Sequence, residues 1–226
     1  MRVTMACAVI LLAASLLSAA DGSFQPARYR GGAIPALSPT ILAGGEVILE
    51  LAVGSDGTVR DVKTLRATPP YTEALSFAVR AWKFEPAEQL DGRSTAASRR
   101  PVDSTVLLAA VFRPPALTGP TLGDVPRDVG SETDGTPFPL MIVQPVFPPL
   151  AQSGGSVLIE TSVDVNGHAT DSHVIQSSPP FDEPALAALR AWTFRPARVS
   201  GTVRPTLAYI LFGFPQPVLG AAGGGR

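Results

Sequence analysis

From Glu46 to Val53 the chain alternates. Val47, Leu49, Leu51 and Val53 fall on one side of an extended backbone, and Ile48, Glu50 and Ala52 on the other, the period of two that marks a strand. Ser55-Asp56-Gly57 follows. Asp-Gly tolerates the positive φ of a tight hairpin, so Asp56 and Gly57 are assigned to a turn and a return strand is predicted over about Thr58 to Leu65. Pro69-Pro70 breaks that strand, and the period then changes. Tyr71, Leu75, Ala78, Val79 and Trp82 lie at i, i+4, i+7, i+8 and i+11, one apolar face of a helix that Thr72 caps and Pro86 ends. A polar loop, Glu88 to Arg100, leads to a last strand over about Val102 to Phe112.

The same succession returns further on. Ser156 to Asp164 reads as a strand, Asn166-Gly167 as the hairpin turn, and Ala169 to Ser177 as the return. Phe181, Ala185, Ala188, Leu189 and Trp192 repeat the helical face, with Asp182 as its N-cap and Pro184 in the first turn, where a missing N–H costs little. Thr206 to Phe214 is the last strand. A-W-K-F-E-P-A at Ala81–Ala87 comes back as A-W-T-F-R-P-A at Ala191–Ala197. From Gly45 to Ala87, 16 of 43 positions are identical to those 110 residues later, which points to a tandem duplication. The expected organisation is a signal peptide over 1–20, a flexible lead-in over 21–32, a first repeat over 33–113, a linker over 114–139, a second repeat over 140–214 and a disordered tail over 215–226. Each repeat is predicted to be α+β: a small antiparallel three-stranded sheet with a helix packed on it.

Composition narrows the function classes. The 23 Pro and 21 Gly in 226 residues suit short elements joined by turns. A net charge of −1 gives no basic field for nucleic acid. Arg2, the apolar run Met5 to Leu17 and the small residues Ser18-Ala19-Ala20 form a secretory signal pattern, so a periplasmic location is expected; the alternative is an inner-membrane anchor over residues 5–20. Cys7, the only cysteine, lies inside that run, so a processed chain has neither disulfide nor thiol chemistry. No catalytic motif or phosphate loop occurs, and no enzyme activity, cofactor or metal is expected. His168 and His173 are five apart on a hairpin and point to opposite faces. Trp82, Phe84, Trp192 and Phe194 read as core, Arg80 and Arg190 as helix-end residues, and Glu50 and Glu160 as residues of a solvated sheet face.

The ordered set of features resembles the C-terminal domain of the TonB family, periplasmic proteins that energise outer-membrane transporters. The second repeat carries Gln144-Pro145-Val146-Phe147-Pro148, Ala151, Gly155, a V-x-I-x-T-x-V-D-x-N-G strand and turn, Ser177-Ser178, Leu189-Arg190-x-Trp192 and F-x-P-A. The first has Pro35, Pro39, Gly45, the strand, Asp56-Gly57, the helix and F-x-P-A, but lacks the Gln-Pro pair. The resemblance implies that an extended peptide of an outer-membrane transporter joins the edge of the last strand, beside the Gln-Pro segment. Carried over, the peptide-binding residues are Gln144, Pro145, Tyr209, Ile210, Leu211 and Phe212. It also implies inner-membrane motor proteins or peptidoglycan as further partners. Family transducers keep a histidine in an N-terminal anchor, and Met5 to Ala20 holds no charged residue or histidine. A second reading therefore stands beside the first: a non-energising scaffold that binds cell wall or another envelope protein, its last strands pairing with each other within or between chains. Val106 to Phe112 and Leu207 to Phe212 are apolar on both faces, a hazard for an open edge.

Overall fold

The computed structural model describes residues 24–35, 43–90, 98–113, 122–124, 135–149, 151, 153–199 and 201–215. The expected signal or anchor over 1–20, the tail from 216 and most of the 114–139 linker lie outside them. The elements are β1 (Phe24–Gln25), β2 (Arg28–Gly31), β3 (Gly45–Val53), β4 (Val59–Arg66), α1 (Tyr71–Val79), β5 (Lys83–Glu85), β6 (Ala87–Leu90), β7 (Arg99–Val102) and β8 (Ser104–Phe112) in the first half. The second half follows with β9 (Leu122–Asp124), β10 (Phe138–Val143), β11 (Gly155–Val163), β12 (Ala169–Gln176), α2 (Asp182–Leu189), β13 (Thr193–Arg195), β14 (Arg198–Val199), β15 (Thr202–Val203) and β16 (Thr206–Phe214).

The alternating segments form the hairpins β3–β4 and β11–β12, and each last strand returns antiparallel to the first strand of its own hairpin. Gly45 to Val53 pairs with Phe112 to Ser104, and Gly155 to Val163 with Phe214 to Thr206. Separate three-stranded sheets were the expectation, and here the structure corrects it. β8 and β16 pair with each other in parallel, from Leu107↔Ala208 to Phe112↔Gly213, giving one six-stranded sheet in the order β12-β11-β16-β8-β3-β4.

Parallel pairing of like strands has a geometric consequence. A rotation that carries one half onto the other about an axis along the strands exchanges the two faces of the sheet, so the helices lie on opposite faces. Tyr71, Leu75 and Val79 of α1 share a core with Val47, Leu49, Leu51, Leu108 and Ala110, and also with Tyr209 and Leu211 of the second half. Ala185, Ala188 and Leu189 of α2 share the other core with Val157, Ile159, Ile210 and Phe212, and also with Ile48, Leu107, Ala109 and Val111 of the first half. Each last strand is therefore buried on one face by its own half and on the other by its neighbour. That is the physical reason it is apolar on both faces.

Other segments depart from the sequence reading. The expected flexible lead-in holds β1 and β2, which pair with β6 and β5. The expected polar loop 88–100 contributes to β6 and β7, an antiparallel pair, at its two ends. Within the expected linker, residues 122–124 form β9 and pair with β10, whose first residues Phe138 and Pro139 also belong to the linker span. The two helix caps act differently from the prediction. Thr72 and Asp182 lie inside their helices and reach back, Thr72 Oγ1 accepting from the Thr68 N–H at 2.8 Å and Asp182 Oδ1 from the Ser178 N–H at 2.8 Å.

The hairpin turns explain why the F-x-P-A segment recurs. Gly57 and Gly167 adopt φ +77° and +82°, and a Cβ at either would overlap the carbonyl oxygen of Phe84 or Phe194. Each turn carbonyl accepts from the facing amide, Phe84 N–H to Gly57 O and Phe194 N–H to Gly167 O, both at 2.8 Å. Asp56 Oδ1 accepts from the Thr58 N–H and hydroxyl. In the second half it is Asp164 that closes the turn, taking the N–H groups of Asn166 and His168 at 2.9 Å. Trp82 and Trp192 are buried, and their indoles donate to Ala33 O at 3.0 Å and Val143 O at 2.9 Å.

Candidate functional site

The six residues picked out by the resemblance separate into two places. Tyr209, Ile210, Leu211 and Phe212 lie in β16, between β11 and β8, each with 0% exposure. Their strand has no open edge. This corrects the expectation of an edge strand, and the cause is the first half, whose β8 occupies the position an added strand would take.

Tyr209 serves a structural junction. Its hydroxyl accepts from the Tyr29 N–H at 2.8 Å and lies 2.9 Å from Glu160 Oε2 and 3.3 Å from Ala27 O. Burial, and then the Glu160 carboxylate, hold its phenol far above the ordinary value. Glu160, expected on a solvated face, is only 4% exposed. Arg28 at 3.6 Å and the exposed His173 at 3.3 Å complete its surroundings. The lead-in is thus tied to the second half through Tyr29, Ala27 and Arg28. Glu50, the matching residue of the first half, accepts from the Thr136 hydroxyl at 2.8 Å instead.

Gln144 and Pro145 lie elsewhere, where the chain leaves β10. Phe147 anchors this segment, its ring 5.6 Å from Phe181 and 6.1 Å from Phe214. Arg113, at the exit of β8, is fully buried, and its guanidinium donates to the Pro145 carbonyl. Its main-chain N–H extends the parallel ladder to Gly213 O at 2.9 Å. The first half therefore supports the Gln-Pro segment from below. Sequence reasoning took Arg113 only as the end of a repeat; a cation directly after a strand apolar on both faces was the available sign. Gln144 Oε1 is buried with no hydrogen-bond partner among the described residues. Met141 and Val146, on either side, are 40% and 45% exposed. Apolar side chains beside an unsatisfied acceptor, above a rigid base, make a surface suited to a polypeptide partner.

Among the described residues no group of three or more His, Cys, Asp and Glu could hold a metal ion. A cavity of about 290 Å³ opens where β8 and β16 begin, lined by Phe24, Val106, Pro137 and Leu207 among others, with Arg198 the cation in its wall. No helix of the described residues is long and apolar enough to cross a membrane.

Residues 143–213 match the family described as the Gram-negative bacterial TonB protein C-terminal. Among solved structures, the chain is similar to the solution NMR structure of the Pseudomonas aeruginosa TonB CTD, with 31% identity over 38% of this chain and 91% of that one, at a TM-score of 0.31. No curated protein matches.

Proposed function

Because the chain belongs to the TonB C-terminal family through residues 143–213, we propose that it has a TonB-like role in coupling energy to transport, as a periplasmic module that docks extended peptides of outer-membrane transporters. The observation that carries the docking site is the contrast between the two groups of expected residues. Tyr209 to Phe212 are enclosed within the sheet, whereas half-buried Gln144 and buried Pro145 lie between exposed Met141 and Val146 on a base fixed by Arg113 and Phe147. The peptide therefore docks around β10 and the Gln-Pro segment. Rotation of the Gln144 side chain would bring its buried Oε1 to a peptide N–H, and apolar side chains would cover Met141 and Val146.

In this reading the first half is a second, altered copy of the same unit. Its shared element order, its matching glycine turns and its indole-to-carbonyl hydrogen bond support this. It supplies the partner strand of β16 and the Arg113 support. Residues 1–20 direct the chain to the periplasm, with an inner-membrane anchor as the alternative, and motor proteins or peptidoglycan are further partners.

Synthetic peptides from transporter N-terminal segments, titrated into the chain from Asp21 onward, should bind and perturb the amides of residues 141–147. Gln144→Ala should weaken binding by about two- to tenfold, the value of one hydrogen bond, and Val146→Asp by at least as much. No binding at millimolar peptide would reject the docking reading. One observation favours a second reading: the β8–β16 pairing closes the edge that the resemblance assigned to the partner. On that reading the chain is a scaffold that does not transduce energy, and it would be retained on isolated cell wall while ignoring transporter peptides.

A further inference from the structure

β10 delivers the chain to Gln144, and both of its sides are taken. β13 holds one side. On the other, Leu122, Gly123 and Asp124 of β9 pair antiparallel with Val143, Ile142 and Met141. Among the described residues the first half shows no counterpart: its equivalent strand, β2, pairs with β5. The strand on the outer edge of β10 thus has no described equivalent in the first half. It is supplied by the stretch between the halves.

Taking the docking reading above as its premise, we propose that the outer edge of β10, Met141–Val143, is a strand-receiving edge for the transporter peptide, and that Leu122–Asp124 is a tethered occupant which the peptide displaces. The edge accepts an antiparallel strand, since β9 occupies it. Pairing through main-chain N–H and C=O groups does not depend on sequence, so another extended segment can take the same register. A three-residue pairing opens far more readily than the nine-residue pairings β3–β8 and β11–β16. A peptide on this edge would run beside exposed Met141, and beyond the three paired residues it would come close to Gln144, whose Oε1 is unsatisfied.

The alternatives within the sheet are poorer receivers. β8 and β16 are interior. The outer strands β4 and β12 each carry two register irregularities against their neighbours, a feature that blunts an edge. The tether sets the competition. An occupant on a short linker acts at an effective concentration in the millimolar range, so weak free peptides are excluded while a peptide with additional contacts is admitted. Partner affinity is then lowered by the fraction of time the edge is filled.

The test replaces Leu122→Pro together with Asp124→Pro in the chain from Asp21 onward, removing two N–H donors from β9 while leaving β10 unchanged. Amide exchange at Met141–Val143 should accelerate, with β11 and β16 unaffected. Transporter peptides should bind the variant about tenfold tighter than wild type, the gain expected if β9 vacates the edge about a tenth of the time, and should restore protection at Met141–Val143. Equal affinity for the two proteins, or protection appearing on a different strand, would overturn the proposal while leaving the docking reading intact. Unchanged exchange at Met141–Val143 in the variant would also overturn it. Should transporter peptides bind neither protein, a synthetic peptide of residues 118–128 decides. If it protects the variant's edge, β10 stands as a strand receiver and the transporter assignment fails; if it gives no protection at millimolar concentration, the proposal fails as well.

Discussion

Gly57, Gly167 and Gly201 share a positive φ, of +77°, +82° and +80°, but not a neighbourhood. A Cβ at Gly57 or Gly167 would strike the carbonyl of Phe84 or Phe194, whereas at Gly201 it meets nothing within 4 Å. Gly201→Ala should therefore cost only the left-handed backbone penalty, about 1 kcal/mol, and Gly57→Ala or Gly167→Ala at least about 2–3 kcal/mol more, because the F-x-P-A segment must move. Urea unfolding of the three variants measures the difference directly. The tyrosines give a pH prediction. Burial raises the phenols of Tyr29, Tyr71 and Tyr209, the chain's three tyrosines. A folded value above the unfolded one of about 10 means that the unfolded chain loses its protons first, so stability is fully present below that pH and is lost as pH rises beyond it. Tyrosinate absorbance should accordingly rise at higher pH in the folded chain than in the urea-unfolded chain, which titrates near about pH 10. Coincident titration of the two, with an intact circular dichroism spectrum for the folded chain, would contradict this.

Elements were legible where one face is buried and the other wet. The hairpins and helices could be read because period two and period 3.6 survive in residues such as Val47, Leu49 and Leu51 or Tyr71, Leu75 and Val79. β8 and β16 could be read as strands, and their pairing with each other stood as one of two readings, but their faces could not be assigned, since a strand buried on both faces has no alternation to orient it. β2 was missed for another reason: R-Y-R-G has one apolar side chain, and the partners that hold it, β5 and the Tyr209 hydroxyl, are distant in sequence. The Gln-Pro segment was picked out by resemblance, but its support was not. The Arg113 guanidinium reaches the Pro145 carbonyl from the other half, and burial lowers its pKa. Arg113→Met keeps much of the volume and removes the donor. It should destabilise the protein by about 1–3 kcal/mol and shift the amide resonances of residues 144–147 more than those of β3 or β4. Arg113→Lys should recover part of both effects. If the resonances of 144–147 stay fixed in Arg113→Met, Arg113 does not position the segment.

At the scale of the whole molecule, the shared central strands decide whether the halves are independent. Two domains on a linker would unfold separately, each small and only marginally stable. Here Leu107 and Val111 of the first half lie in the core built around α2, and Tyr209 and Leu211 of the second lie in the core built around α1. Melting either half strips apolar cover from the other, and each buried aliphatic side chain exposed costs about 1.5–3 kcal/mol, so neither half keeps its stability alone. The prediction is a single cooperative transition. Trp82 and Trp192 stand in different cores and offer one reporter for each. In Trp192→Phe the fluorescence follows the first half and in Trp82→Phe the second. With Leu107→Ala added to either background, an expected cost of about 2–5 kcal/mol should lower both midpoints by the same amount, although Leu107 touches only the core that contains Trp192. A shift confined to the Trp192 signal would mean that the halves melt independently and that the parallel pairing of β8 and β16 joins them without coupling them.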